Sequence, residues 1–197
     1  MQITDLYQTK ITCSTYNANI DSTNTVITVK LVDFNNVAVT NKSVTLTCDK
    51  GYFNKNGSTT ISGTTTKSIT ATTNSSGEIS ATWTASEWGL ATFSANNNNN
   101  QINVQGWRKI GSSDNYYFQY NGEFVELRLN KQMSISGSWS TIMTIAEDRF
   151  RPAMTIKQIG DNQTIVKVGT DGVVMIARFN GSSTTTSVQN TFLWKMK

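Results

Sequence analysis

A chain without a single histidine has few reactions open to it. Ser-His-Asp and Cys-His nucleophilic sites are excluded, and so is the commonest metal ligand. Glycoside hydrolysis survives, because it needs only two carboxyl groups flanking the scissile bond. The available pairs are poor. Glu123 and Glu126 are an odd number of positions apart on one expected strand and should face opposite ways, while Glu147 and Asp148 neighbour Arg149 and Arg151, where surface ion pairing is the expected use. No DxDxDG run is present to build a calcium loop, and the two cysteines form no metal pattern. The expectation is a protein that is not an enzyme and carries no metal or cofactor.

Binding is the better use of these side chains. Sugars are recognised by aromatic faces laid on the apolar side of a pyranose, with Asn, Asp, Gln and Arg bonding the hydroxyls. The second half of the chain holds YYF at 116–118 together with Trp107, Trp139 and Trp194. Phe118, Tyr120 and Trp194 share parity with apolar neighbours and should face inward. Tyr117 and Trp139 are left as exposed candidates, and Arg149 and Arg151, which bracket Phe150 ahead of the only proline, complete the candidate ligand set. A plainer use of that last segment is as a loop staple. Phe150 would plug the end of a sandwich while the Arg151 guanidinium bonds carbonyls or Asp148.

The elements that must position these residues are strands. Thr, Ser and Asn dominate the polar positions and disfavour helix interiors by competing for backbone hydrogen bonds. Alternation of period two recurs, as in Ile27/Val29/Leu31, Val44/Leu46/Cys48, Ile79/Ala81/Trp83 and Ala91/Phe93/Ala95. Turn clusters separate these runs: DFNN at 33–36, NKNGS at 54–58, NSSGE at 74–78 and EWG at 87–89. The run ANNNNNQ at 95–101 reads as a polar loop, or the solvated start of a last strand QINVQ, rather than a disordered tract. Farther on, Asn121-Gly122 and Asp171-Gly172 are expected as two-residue hairpin turns, with Asn180-Gly181 a further turn signal. Pro152 cannot sit in a central strand and holds Arg151 extended, so it should separate a strand ending near Ile145 from one starting near Met154.

At 197 residues the chain suits two cores, and the expected fold is all-β: a β-sandwich over 1–105 followed by a second antiparallel, jelly-roll-like sandwich over 106–197. The net charge of +4 lies wholly in the second half, on basic residues spaced singly, which suggests a solvated surface rather than a nucleic-acid interface. Cys13 and Cys48 both read as core positions, with two buried thiols and a bridge equally open. The first ten residues lack the features of a secretory signal, and no stretch is long and apolar enough to insert in a membrane. Action outside a cell would then need a signal beyond this sequence, or release by lysis inside a particle.

Over the first half, the order VKLVDFNNVAV (Asp33), VTLTCDKGYF (Gly51), TTNSSGEISATWT (Gly77) and WGLATFSA (Gly89, Ala91, Ala95) resembles bacterial Ig-like domains of the invasin and intimin type. It departs from their pattern at FNNVAV, where those domains usually have glycine and proline. That resemblance implies a spacer or adhesive module. Over the second half, GEFVELRL (Gly122, Val125, Leu127), GSWSTIMTI (Trp139), AEDRFRP (Phe150, Arg151, Pro152) and TDGVVMIARFNG (Asp171, Gly172, Val174, Ile176) resemble the head domains of phage tail-fibre, baseplate and receptor-binding proteins. Here Ala146 stands where a first proline is usual, and the loop is about one residue longer. Together the resemblances imply a homotrimeric virion protein that binds a host-surface glycan or a neighbouring virion subunit. The alternative is a fragment of a cell-surface adhesin.

Overall fold

The computed structural model describes residues 7–113, 116–135, 137–160, 164–179 and 184–197. The chain divides into two compact units, Met1–Gly106 and Trp107–Lys197. Among the described residues there are strands and a single short 3-10 turn, Asp148–Phe150, and no α-helix. The all-β reading holds in both halves.

Among its described residues the first unit has ten strands: β1 Gln8–Cys13, β2 Asn17–Asn19, β3 Thr25–Val32, β4 Ser43–Cys48, β5 Tyr52–Asn56, β6 Thr59–Thr60, β7 Ser68–Thr72, β8 Glu78–Thr84, β9 Gly89–Ala95 and β10 Asn98–Gln105. They form two sheets in the orders β1-β3-β8-β5-β6 and β2-β10-β9-β4-β7. The chain thus passes from one sheet at β1 to the other at β2, and β2 pairs parallel with β10 while the other pairs are antiparallel. Four strands, β1-β3-β8-β5, facing β10-β9-β4 in this connectivity is the Ig-type sandwich, with β2 added beside β10, β7 beside β4 and the short β6 beside β5.

Alternation fills the core. All the residues of the four alternating runs named above are buried. Trp83 meets Phe93 edge-on, with ring centroids 5.1 Å apart, and its Nε1–H donates to the Lys50 carbonyl at 2.9 Å, so the indole loses no hydrogen bond on burial. Where glycine and proline are missing from FNNVAV, Asp33 makes the turn instead. Its Oδ1 accepts the N–H groups of Asn35 and Val37, both at 2.9 Å, and Asn36 takes φ 67°. The asparagine run is a hairpin and then a strand: Asn96 and Asn97 turn with φ 46° and 64° between the paired Ala95 and Asn98. Cys48 is buried, Cys13 only half-buried, and both are free thiols.

The second unit has β11 Arg108–Ser113, β12 Tyr116–Tyr120, β13 Phe124–Ile135, β14 Ser140–Thr144, β15 Ile156–Gly160, β16 Thr164–Val168, β17 Val173–Arg178 and β18 Thr184–Lys195. Its sheets run β11-β12-β13-β18 and β14-β17-β16-β15. In the second of these, β15, β16 and β17 follow one another while β14 lies beside β17. The chain must therefore cross from one edge of the sheet to the other between β14 and β15, which is a Greek-key connection. Inward-facing Phe118, Val125, Leu127 and Leu129 on one sheet and Val166, Val168, Val174 and Ile176 on the other are buried.

Three details differ from the sequence reading. The turn after β12 centres on Gly122-Glu123, not Asn121-Gly122. Asn121 N–H donates to the Phe124 carbonyl, the Asn121 Oδ1 accepts from Glu123 and Phe124, and only Gly122 has positive φ, so glycine takes the first central position. The Asp171-Gly172 turn is a three-residue loop closed by Gly172 N–H to Gly169 O at 2.9 Å and Gly169 N–H to Val173 O at 2.9 Å, with Gly172 left-handed at its end. The crossing loop is longer than expected, because β15 first pairs at Ile156, opposite Val168, and Met154 stays exposed in the loop. Asn180-Gly181 lies outside the described residues.

Candidate binding site

The crossing loop closes one end of the second sandwich, and its residues divide into those bonded or packed within the loop and those that point outward. Phe150 is only 2% exposed and packs against Phe118 and Tyr120, with centroids 6.1 and 4.7 Å away. Trp194 Nε1–H donates to the Phe150 carbonyl at 2.9 Å. Arg151, extended at φ −80° and ψ 144° as a residue before proline should be, donates from Nε to the Ile145 carbonyl at 3.0 Å and from Nη2 to the Ala146 carbonyl at 2.8 Å. Its Nη1 lies 3.7 Å from Asp148. Arg151 is thus occupied within its own loop. Its donors face the backbone carbonyls of Ile145 and Ala146 because the loop, crossing a sheet end, has no strand partner for those carbonyls.

Arg149, two residues away, points outward. Its guanidinium carbon stands 4.5 Å from the Phe150 ring centroid and 5.8 Å from that of Tyr120, and its Nε donates to Glu147 Oε2 at 2.8 Å. A groove of about 230 Å³ opens beside it, lined by Arg108, Lys109, Tyr120, Glu147, Arg149 and Phe150 among others. Sequence reasoning passed over Arg108 and Lys109, because neighbours on a regular strand face opposite ways. The signal it lacked is the irregularity in β11 between Lys109 and Gly111, which breaks the alternation next to the groove. Arg108 Nη1 donates to the Tyr120 hydroxyl at 3.4 Å. Arg108 and Lys109, remote in sequence from Arg149, therefore converge with it here.

Tyr117 and Trp139 are both exposed, at 38% and 43%, but the structure does not bring them together. Tyr117 lies on the outer face of the β12 sheet, with Lys109 Nζ 5.6 Å from its ring centroid, so it borders the groove through that lysine. Trp139 precedes β14 and sits over Lys167 of the other sheet at 5.4 Å. The two rings thus belong to opposite outer faces of one sandwich.

The carboxylates are placed as partners of cations. Glu147 pairs with Arg149, Asp148 with Arg151 and Lys197, and Glu123 with Lys195. Glu126 is nearly buried and accepts from the side chains of Gln119 and Arg128. Among the described residues no group of three or more His, Cys, Asp or Glu is close enough to hold a metal ion, and no helix is long and apolar enough to cross a membrane.

No family model and no curated protein sequence matches the chain. Two solved structures similar to it are the Yersinia pseudotuberculosis adhesin InvE, at 16% identity over 92% of this chain with a TM-score of 0.35, and domains 4-9 of the surface layer protein SbsC, at 11% identity over 94% with a TM-score of 0.30. The chain spans 58% and 30% of those two chains.

Proposed function

We propose that this chain is a non-enzymatic attachment protein of a phage-like tail or baseplate, in which an Ig-like unit carries a β-sandwich head that binds host-surface carbohydrate. The observation that carries this reading is the groove beside the crossing loop, where Arg108, Lys109 and Arg149 stand with Glu147 at one open concavity. Charged forks and carboxylates bond sugar hydroxyls, and the Lys109 ammonium, 5.6 Å from the Tyr117 ring centroid, stands at the rim as a further donor. Three cations at one compact groove make a small-ligand site rather than a track for a nucleic-acid backbone, whose affinity comes from many phosphate contacts in line.

A single shallow groove binds weakly, and a symmetric homotrimer would let three act together. The experiment is retention of the intact protein, in its solution oligomer, on host cells and on a glycan array. Saturable binding to cells that periodate treatment of their surface glycans removes supports the reading. Binding that survives periodate would instead direct the head to a protein, such as a neighbouring virion subunit. A solution mass of one chain at micromolar concentration would remove the trimer. The adhesin alternative, with its cell-surface location, is separated by genome neighbourhood, since tail-assembly genes should surround a virion component.

A further inference from the structure

We infer that the groove beside the crossing loop selects an acidic saccharide, with the Arg149 fork as the subsite for a sugar carboxylate. The inference rests on the carbohydrate reading above and names its ligand class.

Among the described residues, neither Nη atom of Arg149 donates to a protein acceptor. Its one carboxylate contact, from Nε to Glu147 Oε2 at 2.8 Å, leaves the paired Nη edge open. That edge is the one that meets a carboxylate with two parallel hydrogen bonds. The guanidinium is also held in place before any ligand arrives. It lies over Phe150 at 4.5 Å, and Phe150 is buried, bonded through its carbonyl to Trp194, and packed on Tyr120. A donor fixed in this way loses less side-chain freedom on binding than a free surface arginine.

The charges lining the groove favour a single negative ligand. Arg108, Lys109 and Arg149 outnumber the one carboxylate, Glu147, so the groove is positive. Lys109 Nζ lies 5.6 Å from the Tyr117 ring centroid and adds a second cation at the rim. Glu147 itself argues against a phosphate. A doubly charged group on the Nη edge would be repelled by the carboxylate already on Nε, whereas a sugar carboxylate brings one charge and neighbouring hydroxyls that Glu147 can accept. The same ring bearing no charge would leave the fork without a partner.

The test uses the intact chain and three probes with one ring: glucuronic acid, glucose and glucose 6-phosphate, each titrated by NMR at low and high salt. Glucuronic acid should bind in preference, with affinity that falls at high salt. Arg149→Gln should weaken it by about tenfold or more, the scale of a hydrogen bond to a charged group, and Lys109→Gln should weaken it less. Arg149→Lys keeps the charge but not the fork, and should fall between. Near-UV circular dichroism confirms that each variant keeps the folded sandwich. Glucose bound as well as glucuronic acid, with Arg149→Gln unchanged, overturns the inference and leaves carbohydrate attachment standing. Preference for glucose 6-phosphate overturns the carboxylate assignment alone. No saccharide bound by a chain that still attaches to cells overturns both.

Discussion

The indole Nε1–H of Trp194, on the last strand, donates to the backbone carbonyl of Phe150, in the crossing loop, across 44 positions of sequence at 2.9 Å. That bond ties the only proline-bearing connection to β18. Met196 N–H, donating to the Glu123 carbonyl at 2.8 Å, fastens the same end of β18 to the β12–β13 turn.

Removing the donor should expose the bond's contribution. Trp194→Phe keeps most of the buried ring and leaves the Phe150 carbonyl unpaired, so the second unit should lose about 1–3 kcal/mol. Trp107→Phe, at a partly exposed ring, should cost less than about 0.5 kcal/mol. Urea unfolding of both variants measures the difference, and equal midpoints would remove the bond from the account.

Gly172 can be tested against a second glycine of similar backbone. Both Gly172 and Gly57 have positive φ, 83° and 58°, but a Cβ at Gly57 would meet nothing within 4 Å. At Gly172 it would lie 2.5 Å from the Ile145 carbonyl oxygen and 2.8 Å from Arg151 Nε. Gly57→Ala should therefore cost about 1–2 kcal/mol, the left-handed penalty alone, and Gly172→Ala clearly more. Thermal unfolding ranks them.

The two arginines of the loop should separate stability from binding. Arg151→Gln removes charge-assisted bonds to two backbone carbonyls and should destabilise by about 1–3 kcal/mol. Arg149→Gln removes an exposed pair and should change stability by less than about 1 kcal/mol. The reverse order of the two in a denaturation series would contradict the division of labour drawn here.

Burial raises the Cys13 and Cys48 thiols to about 11 each. An unfolded thiol releases its proton near pH 9, while the folded ones keep theirs. Their contribution to stability is therefore complete below pH 9 and lost as pH rises from 9 to about 11. Folded protein at pH 8 should react slowly with iodoacetamide and unfolded protein at both sites quickly, since the thiolate is the nucleophile. A Cys13→Ser, Cys48→Ala variant should lose less stability over the same alkaline range than the parent. Rapid alkylation of the folded chain is the result that would count against burial as the cause.

The strands were legible because alternation is a local property. Ile27, Val29 and Leu31, or Ala91, Phe93 and Ala95, announce an inward face without reference to the rest of the chain, and all are buried. The staple was legible for a similar reason, since proline restricts Arg151 directly and Phe150 has few other places to go. Glu126 and Gln119 show where that logic fails. Both stand on the outward parity of their strands, yet both are buried, because they face one another as cross-strand partners and Arg128 bonds the carboxylate. No spacing rule could reveal it.

The sequence alone determined the alternating strands, where the chain turns between them and which of their apolar residues face inward, since steric preference and periodicity act over neighbours. Only the tertiary structure decided which side chains meet. It put Arg108 and Lys109 beside Arg149, confined Arg151 to its own loop, and set Tyr117 and Trp139 on opposite faces, because register, an irregular strand and a crossing connection join residues that are far apart along the chain.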